Sequence, residues 1–502
     1  MRMANPLYDT LFGRHDGKDT PFLMLRDGAK ITHADFLGRA ARIAHALTDA
    51  GLKPGDRVAA QVEKSPEALA LYAACAQAGL VFLPLNTAYT VDELSYFIED
   101  SGARMVICDP VGEAGLTPLC DRLGAQILTL GADGHGGLMA QAARHEDRFE
   151  TVAREGSDLA AFLYTSGTTG RSKGAMLTQD NLISNAVTLA EHWRFTQDDV
   201  LLHALPIFHT HGLFVATNVT AVSGAAMIFL PKFDVGALID LMPKATALMG
   251  VPTFYTRLLG EERFTKQLTA GMRLFISGSA PLLAETHVEF EKRTGHRILE
   301  RYGMTETNMN TSNPYEGERR AGTVGFPLPG VELKITDRET GEEVPQGEVG
   351  LIEVRGPNVF KGYWQMPEKT KAELREDGFF LTGDLGRIDA DGYVSIVGRD
   401  KDLIISGGYN IYPKEIELVL DEQPGVLESA VIGVKDADFG ESVVGVLVPR
   451  PGAEIDRDAV MAALQGSLAR FKQPRRLEIL DELPRNTMGK VQKNLLRERF
   501  GG

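Results

Sequence analysis

The sequence predicts an α/β protein in which a large N-terminal domain with mainly parallel sheets precedes a small α+β C-terminal domain. Two observations support this prediction. Apolar runs typical of strands alternate with helix-like segments through the first part of the chain, and helix-capping residues stand between them. After Gly398 a charged stretch leads into a shorter region of mixed helices and strands. The predicted domains are therefore residues 1–399 and 400–502.

The first β-α-β units show how the elements are assigned. Residues 57–62 and 81–85 are apolar runs typical of strands, and between them Ser65 can cap a helix that opens with proline. Thr90 and Glu93 then form a capping box for the next helix. Because such units repeat, we expect parallel strands covered by helices, with ligands bound at the carboxyl ends of the strands.

A segment rich in hydroxyl, glycine and cationic residues follows the apolar strand at residues 159–164, and residues 182–193 show helical periodicity. We expect the segment to join that strand to the helix. Glycines allow backbone N–H groups to approach phosphate oxygens, while hydroxyls donate hydrogen bonds and cations offset charge. The pattern therefore predicts a nucleotide-phosphate loop rather than a flexible surface turn. The string G-x-x-x-x-G-K-[ST] is absent from the sequence, which excludes the P-loop kinases and GTPases.

Composition limits the other classes of function. The chain has 502 residues and a net charge of −15, which argues against nucleic-acid binding and against attachment to an anionic membrane. Its three cysteines lack C-x-x-C spacing and indicate reduced thiols. No apolar run reaches the ~18 residues of a membrane span. We therefore expect a cytoplasmic protein.

The loop Leu163-Tyr164-Thr165-Ser166-Gly167-Thr168-Thr169-Gly170-Arg171-Ser172-Lys173-Gly174 resembles the phosphate loop of the adenylate-forming acyl-CoA synthetases. Five further motifs follow in the family's order: Arg301-Tyr302-Gly303-Met304-Thr305-Glu306, Thr382-Gly383-Asp384, Gly398-Arg399-Asp400-Lys401-Asp402, Ser406-Gly407-Gly408-Tyr409 and Pro484-Arg485-Asn486-Thr487-Met488-Gly489-Lys490. The sequence departs from the pattern at Ser172, where proline is usual, and at Ile405, where lysine is common. The resemblance implies the adenylate-forming enzyme fold, whose C-terminal domain is mobile and turns about a hinge, here Asp400.

The resemblance also implies ATP, Mg²⁺ and coenzyme A as cofactors, and assigns residues to each. The residues expected to hold the β- and γ-phosphates are Thr165, Ser166, Gly167, Thr168, Thr169 and Lys173. Those expected around adenine and ribose are Gly278, Ser279, Ala280, Tyr302, Asp384 and Arg399. Thr305 would contact the α-phosphate, Glu306 and Thr165 would bind Mg²⁺, and Gly407 and Gly408 would line the path of the coenzyme A thiol.

Lys490 matches the family's catalytic lysine, although its position alone is also that of a surface lysine in a basic tail. Its charge would stabilise the oxygen between the acyl carbon and the α-phosphorus in the transition state. The sequence around Lys490 also resembles sites of protein acetyltransferases, so a protein acetyltransferase and a deacetylase are expected partners. His209 and His211 match a segment beside the acyl pocket, and we assign the functional role to His209, although a core role fits either histidine.

The string Glu300-Arg301-Tyr302-Gly303-Met304-Thr305-Glu306 resembles the malonyl-CoA synthetases, which implies malonate, and also methylmalonate, as the acid. A buried arginine needs an anion, so Arg301 is expected to bind the second carboxylate, with Arg257 as the alternative. Pairing of Arg301 with Glu300 or another internal acid is the competing interpretation. Further residues expected at the acyl pocket are Ser277, Met304 and Ile207.

Three other functions stay open at this level. One is a CoA ligase for short-chain, medium-chain or aryl monocarboxylates. A second is an adenylation domain that loads a separate carrier protein, which is disfavoured because no carrier domain follows. The third is a catalytically silent ATP-binding regulator, against which the joint presence of Glu306, Asp384 and Lys490 argues.

Overall fold

A computed structural model describes residues 4–165, 172–406, 409–436, 439–486 and 489–501. It divides into two units, one of Met1–Glu332 with Val354–Phe380 and one of Leu333–Glu353 with Leu381–Gly502. The predicted architecture, a large N-terminal α/β part and a small C-terminal part, is confirmed. The boundary after residue 399 was inferred from a hinge and stays a prediction.

Most helices of the described residues bury apolar side chains, whereas α12 (Pro367–Glu373) has no buried residue. They are α1 Pro6–Leu11, α2 His33–Asp49, α3 Pro66–Gln77, α4 Val91–Ser101, α5 Glu113–Leu123, α6 Gly137–Ala142, α7 Gln179–His192, α8 Asn218–Ser223, α9 Val235–Leu241, α10 Pro252–Leu259, α11 Ala284–Thr294, α12 Pro367–Glu373, α13 Pro413–Asp421, α14 Arg457–Ser467 and α15 Lys493–Phe500. A π-helix spans His211–Thr217.

The strands of the described residues are mostly short. They are β1 Pro21–Met24, β2 Lys30–Thr32, β3 Arg57–Gln61, β4 Val81–Pro84, β5 Met105–Cys108, β6 Gln126–Thr129, β7 Leu159–Thr165, β8 Lys173–Thr178, β9 Val200–His203, β10 Ala226–Phe229, β11 Ala247–Gly250, β12 Leu274–Ser277, β13 Leu299–Met304, β14 Asn308–Ser312, β15 Phe326–Pro327, β16 Glu332–Thr336, β17 Gly350–Arg355, β18 Phe380–Ile388, β19 Val394–Arg399, β20 Ile404–Ser406, β21 Tyr409–Ile411, β22 Val426–Asp436, β23 Gly440–Pro449 and β24 Arg476–Ile479.

The first unit contains two large sheets. One has the strand order β15-β14-β13-β12-β11-β9-β10-β1-β2, and the other has the order β6-β5-β3-β4-β7-β8. The central strands of both sheets are parallel, as predicted from the β-α-β units. Antiparallel strands lie at their edges.

Helix α3 shows why these sheets pack as they do. Every residue from Ala68 to its C-terminus is buried, which is typical of a helix covered on all sides. Its Tyr72 ring contacts Phe82 of the six-stranded sheet and Phe214 of the π-helix that follows β9. The predicted cap is confirmed, because Ser65 Oγ accepts a hydrogen bond from the Ala68 N–H at 3.1 Å. The Thr90–Glu93 capping box is confirmed as well.

The phosphate-loop region differs from the prediction in one respect. The loop was expected to lead directly from a strand into a helix, but strand β8 intervenes and pairs antiparallel with β7. Helix α7 begins only after β8. The inward-facing Ala175 and Leu177 are buried. This short segment is therefore stabilised more by joining the sheet than by extending helix α7. The prediction of a direct strand-to-helix connection was therefore wrong.

The second unit is built on two smaller sheets. Most of the four-stranded sheet β16-β17-β18-β19 belongs to it, together with the sheet β21-β20-β23-β22, to which β24 adds alongside β23. Helix α13 starts at Pro413 and packs on β22. The mixture of antiparallel strands and helices is the α+β character expected for this part of the chain.

Two smaller expectations concern cysteines and membranes. Cys75, Cys108 and Cys120 are buried and form no disulfide. Across the described ranges, no helix is both long enough and apolar enough to cross a lipid bilayer.

Candidate active site

The carboxyl ends of strands β11 and β12 lie beside the first residues of β13 in the nine-stranded sheet. Gly250 of β11 pairs in register with Ser277 of β12, and Ser277 pairs with Glu300 of β13. The polar residues that follow these strands therefore lie side by side, where ligands bind in open α/β sheets. Ser277 is buried, and its hydroxyl has no hydrogen-bond partner within the described part of the chain.

Arg301 is the most unusual side chain beside these strand ends. It is only 3% exposed, and its Nε and Nη2 have no hydrogen-bond partner among the residues that the structure describes. Burial lowers the pKa of Arg301 to about 9, so the guanidinium still carries its charge at neutral pH. A buried charge without a partner is costly, so this position favours an anionic ligand.

Glu300 does not neutralise Arg301. Successive side chains of a strand point to opposite faces, and the Glu300 carboxyl lies 3.6 Å from His287 Nδ1 of α11. Burial raises the pKa of Glu300. No ion pair joins Arg301 to an acid in the described ranges. The competing interpretation, that Arg301 pairs with Glu300, is not supported.

Gly278 provides the room that the Arg301 guanidinium needs. A Cβ atom at residue 278 would lie 2.5 Å from Arg301 Nη1, closer than non-bonded atoms approach. Ser279 follows with a φ of 73°, in the left-handed region that few residues other than glycine adopt. This backbone directs Ser279 Oγ to within 3.2 Å of His211 Nδ1.

His211 therefore lies at this site, within hydrogen-bonding distance of Ser279. It is buried, and burial together with the nearby Arg301 charge holds the pKa of His211 well below its usual range. It is thus a neutral imidazole at the first residue of the π-helix, a form of helix frequent at functional sites. His209, which we favoured, is partly buried next to Phe208, and its role stays a prediction.

The buried Lys64 holds the segment that leads into the same π-helix. Lys64 Nζ lies 2.8 Å from both His203 Nδ1 and the His203 carbonyl, and 2.9 Å from the Leu205 carbonyl. On its other side, His203 Nε2 lies 2.8 Å from the Gly212 carbonyl. Burial lowers the pKa of Lys64, and the three acceptors match the three donors of an ammonium group. Lys64 and His203 thus fix the backbone beside His211.

We expect Lys64→Met to lower the free energy of unfolding by about 1–3 kcal/mol, because buried acceptors then lose their donor. Thermal and denaturant unfolding measure this loss. Lys232→Met, at an exposed position of the same unit, is the matched control and should leave the midpoint unchanged. Equal midpoints for the two variants would contradict a structural role of the Lys64–His203 contact.

The described residues at the two ends of the phosphate loop are Thr165 and Lys173, which pair across β7 and β8. The Thr165 hydroxyl is buried and has no partner among the described residues, which suits a phosphate or Mg²⁺ ligand. Lys173 Nζ lies 3.0 Å from Tyr363 Oη. The other predicted loop residues, Ser166, Gly167, Thr168 and Thr169, lie outside the described residues, as do Gly407 and Gly408.

Glu306 follows β13 and is buried. Its carboxylate accepts a hydrogen bond from Tyr363 Oη at 3.0 Å, and Tyr363 also contacts Lys173 and Glu373. Tyr363 and Glu373 were not predicted as site residues. No pattern around either residue sets it apart, since they reach the site from a segment about 190–200 residues beyond Lys173.

The remaining predicted residues of the first unit differ in their burial. Tyr302 and Ile207 are buried, whereas Ala280, Met304 and Thr305 are partly buried. Arg257 lies on an exposed face of α10, with its guanidinium 5.7 Å from the centre of the Phe233 ring. Of the two arginines, the buried Arg301 has the stronger need for a bound carboxylate.

In the second unit Asp384 and Arg399 are register partners on β18 and β19. Arg399 Nε lies 2.8 Å from Asp384 Oδ1, and Asp384 is buried. Asp400 begins a short 3₁₀ turn, and its carboxylate lies 3.2 Å from Arg338 Nε. The predicted ribose-binding pair and the predicted hinge residue are thus adjacent, because Asp400 directly follows Arg399 in the chain.

Lys490 is an exposed residue of the second unit. The Asn486 N–H donates to the Lys490 carbonyl at 2.9 Å, and the Lys490 N–H donates to Asn486 Oδ1 at 3.0 Å. Gly489 has a φ of 74°, which glycine adopts readily. Arg485 also donates a hydrogen bond to the Gly489 carbonyl at 2.6 Å.

Comparison with known proteins identifies the family. Residues 14–364 match the model of the AMP-binding enzyme family, and residues 415–490 match that of the AMP-binding enzyme C-terminal domain. The chain belongs to the AMP-binding enzyme family. This result confirms the predicted resemblance to the adenylate-forming acyl-CoA synthetases.

Individual relatives of this AMP-binding enzyme align with most of the chain. The crystal structure of ATP-bound MatB from Rhodopseudomonas palustris is 60% identical, covers 99% of both chains and has a TM-score of 0.98. A malonate–CoA ligase from Arabidopsis thaliana is 36% identical over 481 residues, 89% of this chain and 78% of the relative. A feruloyl-CoA synthase from Amycolatopsis sp. is 38% identical over 478 residues, 94% of this chain and 95% of the relative.

Proposed function

We propose that this AMP-binding enzyme is a ligase that joins malonate to coenzyme A in two steps. A carboxylate oxygen of malonate attacks the α-phosphorus of ATP, and the bond to pyrophosphate breaks. The coenzyme A sulfur then attacks the acyl carbon of the adenylate, and AMP leaves. Methylmalonate is a poorer substrate, because an added methyl group in a fitted pocket discriminates by only ~1–3 kcal/mol.

The buried guanidinium of Arg301 is the observation that favours malonate over a monocarboxylate as the substrate. Identity to these two CoA ligases alone does not separate the candidates, since the feruloyl-CoA synthase and the malonate–CoA ligase are 38% and 36% identical to the chain. A monocarboxylate would leave the Arg301 charge unpaired at a site that is 3% exposed. The second carboxylate of malonate would supply the missing acceptors for Nε and Nη2. Arg257 is the second candidate for this contact.

The other roles follow the family pattern. Thr165 and Lys173, with Ser166, Gly167, Thr168 and Thr169, would hold the departing phosphates, and Thr305 the α-phosphate. Glu306 and the Thr165 hydroxyl offer the oxygen ligands that Mg²⁺ prefers, and the ion would neutralise charge on the phosphates. The proposed contacts of adenine and ribose are Tyr302, Gly278, Ser279, Ala280, Asp384 and Arg399.

Lys490 is the proposed electrostatic catalyst of adenylation, and its exposed position also suits it to modification. We propose that a protein acetyltransferase silences the enzyme at Lys490 and that a deacetylase restores it, because acetylation removes the charge. Mass spectrometry of the intact enzyme after incubation with a bacterial acetyltransferase and acetyl-CoA tests this. An unmodified Lys490 would reject it. The cytoplasm is the proposed compartment.

Pyrophosphate release with a panel of acids tests the proposed function. The panel contains malonate, methylmalonate, succinate, acetate, butyrate and ferulate, each with ATP, Mg²⁺ and coenzyme A. We expect malonate to give the highest kcat/KM. If ferulate or acetate is turned over as fast as malonate, the enzyme is a monocarboxylate–CoA ligase, which is the second candidate that the feruloyl-CoA synthase similarity favours.

A further inference from the structure

Four side chains of the first unit form a connected group, here called the Tyr363 cluster: Lys173, Glu306, Tyr363 and Glu373. Tyr363 Oη lies 3.0 Å from Glu306 Oε1 and 2.7 Å from Glu373 Oε2. Lys173 Nζ lies 3.0 Å from the same phenol oxygen and 3.3 Å from Glu373 Oε2. A lysine proposed to bind phosphate therefore has an internal carboxylate within reach.

Glu373 is ionised at neutral pH. Burial by itself would raise the pKa of Glu373, but hydrogen bonds from Lys369 and Tyr363 and the charge of Lys173 lower it instead. Lys369 lies one helical turn before Glu373 on α12, with its Nζ 2.6 Å from Glu373 Oε1. The Glu373 carboxylate is thus a fixed negative charge 3.3 Å from Lys173 Nζ.

Tyr363 links this carboxylate to Glu306. The Tyr363 phenol has a single proton to donate, and both carboxylates are acceptors. One proton cannot be donated to two carboxylates at once, although both lie within hydrogen-bonding distance. A cation held by Glu306 would occupy lone pairs of that carboxylate, and the Tyr363 proton would then be left for Glu373.

We propose that Glu373 is a positioning residue that competes with pyrophosphate for the Lys173 ammonium and so helps pyrophosphate to leave after adenylation. This inference rests on the proposed function, in which Lys173 holds the β- and γ-phosphates. An ammonium shared with an internal carboxylate binds a phosphate oxygen less tightly than one without such a competitor. Removing the charge of Glu373 therefore strengthens the binding of pyrophosphate and ATP.

The test is Glu373→Gln in the full-length enzyme, assayed with malonate. The inhibition constant of pyrophosphate and the KM of ATP should each fall about two- to fivefold, the range that a half-buried ion pair supports. The KM of malonate should not change. A gain in affinity separates this role from a structural one, because damage to the fold would weaken binding.

Glu368→Gln is the matched control, since it removes the same charge from an exposed position of the same helix. Calorimetry of pyrophosphate binding to each variant provides a second measurement that does not depend on turnover. If both glutamine variants bind pyrophosphate as the wild type does, or if Glu373→Gln binds it more weakly, the role of Glu373 is overturned while the malonate–CoA ligase stands. If the wild type releases pyrophosphate with none of the acids, both proposals fail.

Discussion

Arg301→Ala is expected to lower kcat/KM for malonate by roughly two to three decades while leaving the KM of ATP within a small factor of wild type. Breaking a buried, paired charge costs ~3–5 kcal/mol, and here the charge left behind would be the second carboxylate of the substrate. The loss should fall on malonate and methylmalonate and not on acetate. The measurement is steady-state pyrophosphate release with each acid for wild type and variant.

Two further substitutions make this result specific. Arg297→Ala removes an exposed arginine just before β13, and it should retain the kinetics of the wild type. Arg257→Ala tests the second candidate for the carboxylate contact. If both Arg301→Ala and Arg257→Ala keep the preference for malonate over acetate, the dicarboxylate assignment is wrong, although the acyl-CoA ligase assignment is unaffected.

Lys490→Ala should slow adenylation by two to three decades and largely spare the second half-reaction. Removal of one donor that stabilises developing charge costs ~2.7–4 kcal/mol in comparable sites. Adenylation is followed as pyrophosphate release from ATP and malonate. The second step is followed as malonyl-CoA formation from presynthesised malonyl-adenylate and coenzyme A.

Lys435→Ala, an exposed lysine of the same unit, is the control and should affect neither step. Lys490→Gln, which resembles the acetylated side chain, should behave like the alanine variant because both lack the charge. Equal losses in both half-reactions would contradict the assignment of Lys490 to adenylation alone.

The local elements of the fold were largely predictable because their signals are local. Ser65 and Thr90 cap their helices through hydrogen bonds that span only three residues, so the sequence contains both partners. Strand β8 was missed for the opposite reason. Its six residues follow a glycine-rich loop and precede a helix, and only pairing with β7 gives them strand conformation.

What the sequence determined by itself is the family and the motif residues, because the chemistry of phosphate binding and adenylation requires particular residue types in a fixed order. The tertiary structure decided which charges meet. Glu300 and Arg301 are neighbours in sequence, yet strand geometry directs Glu300 to His287 and leaves Arg301 buried with no acid partner among the described residues. Lys173 and Glu373, 200 residues apart, come together only in the fold. The free-energy cost of a charge depends on its burial and on its distance from other charges, and local sequence specifies neither.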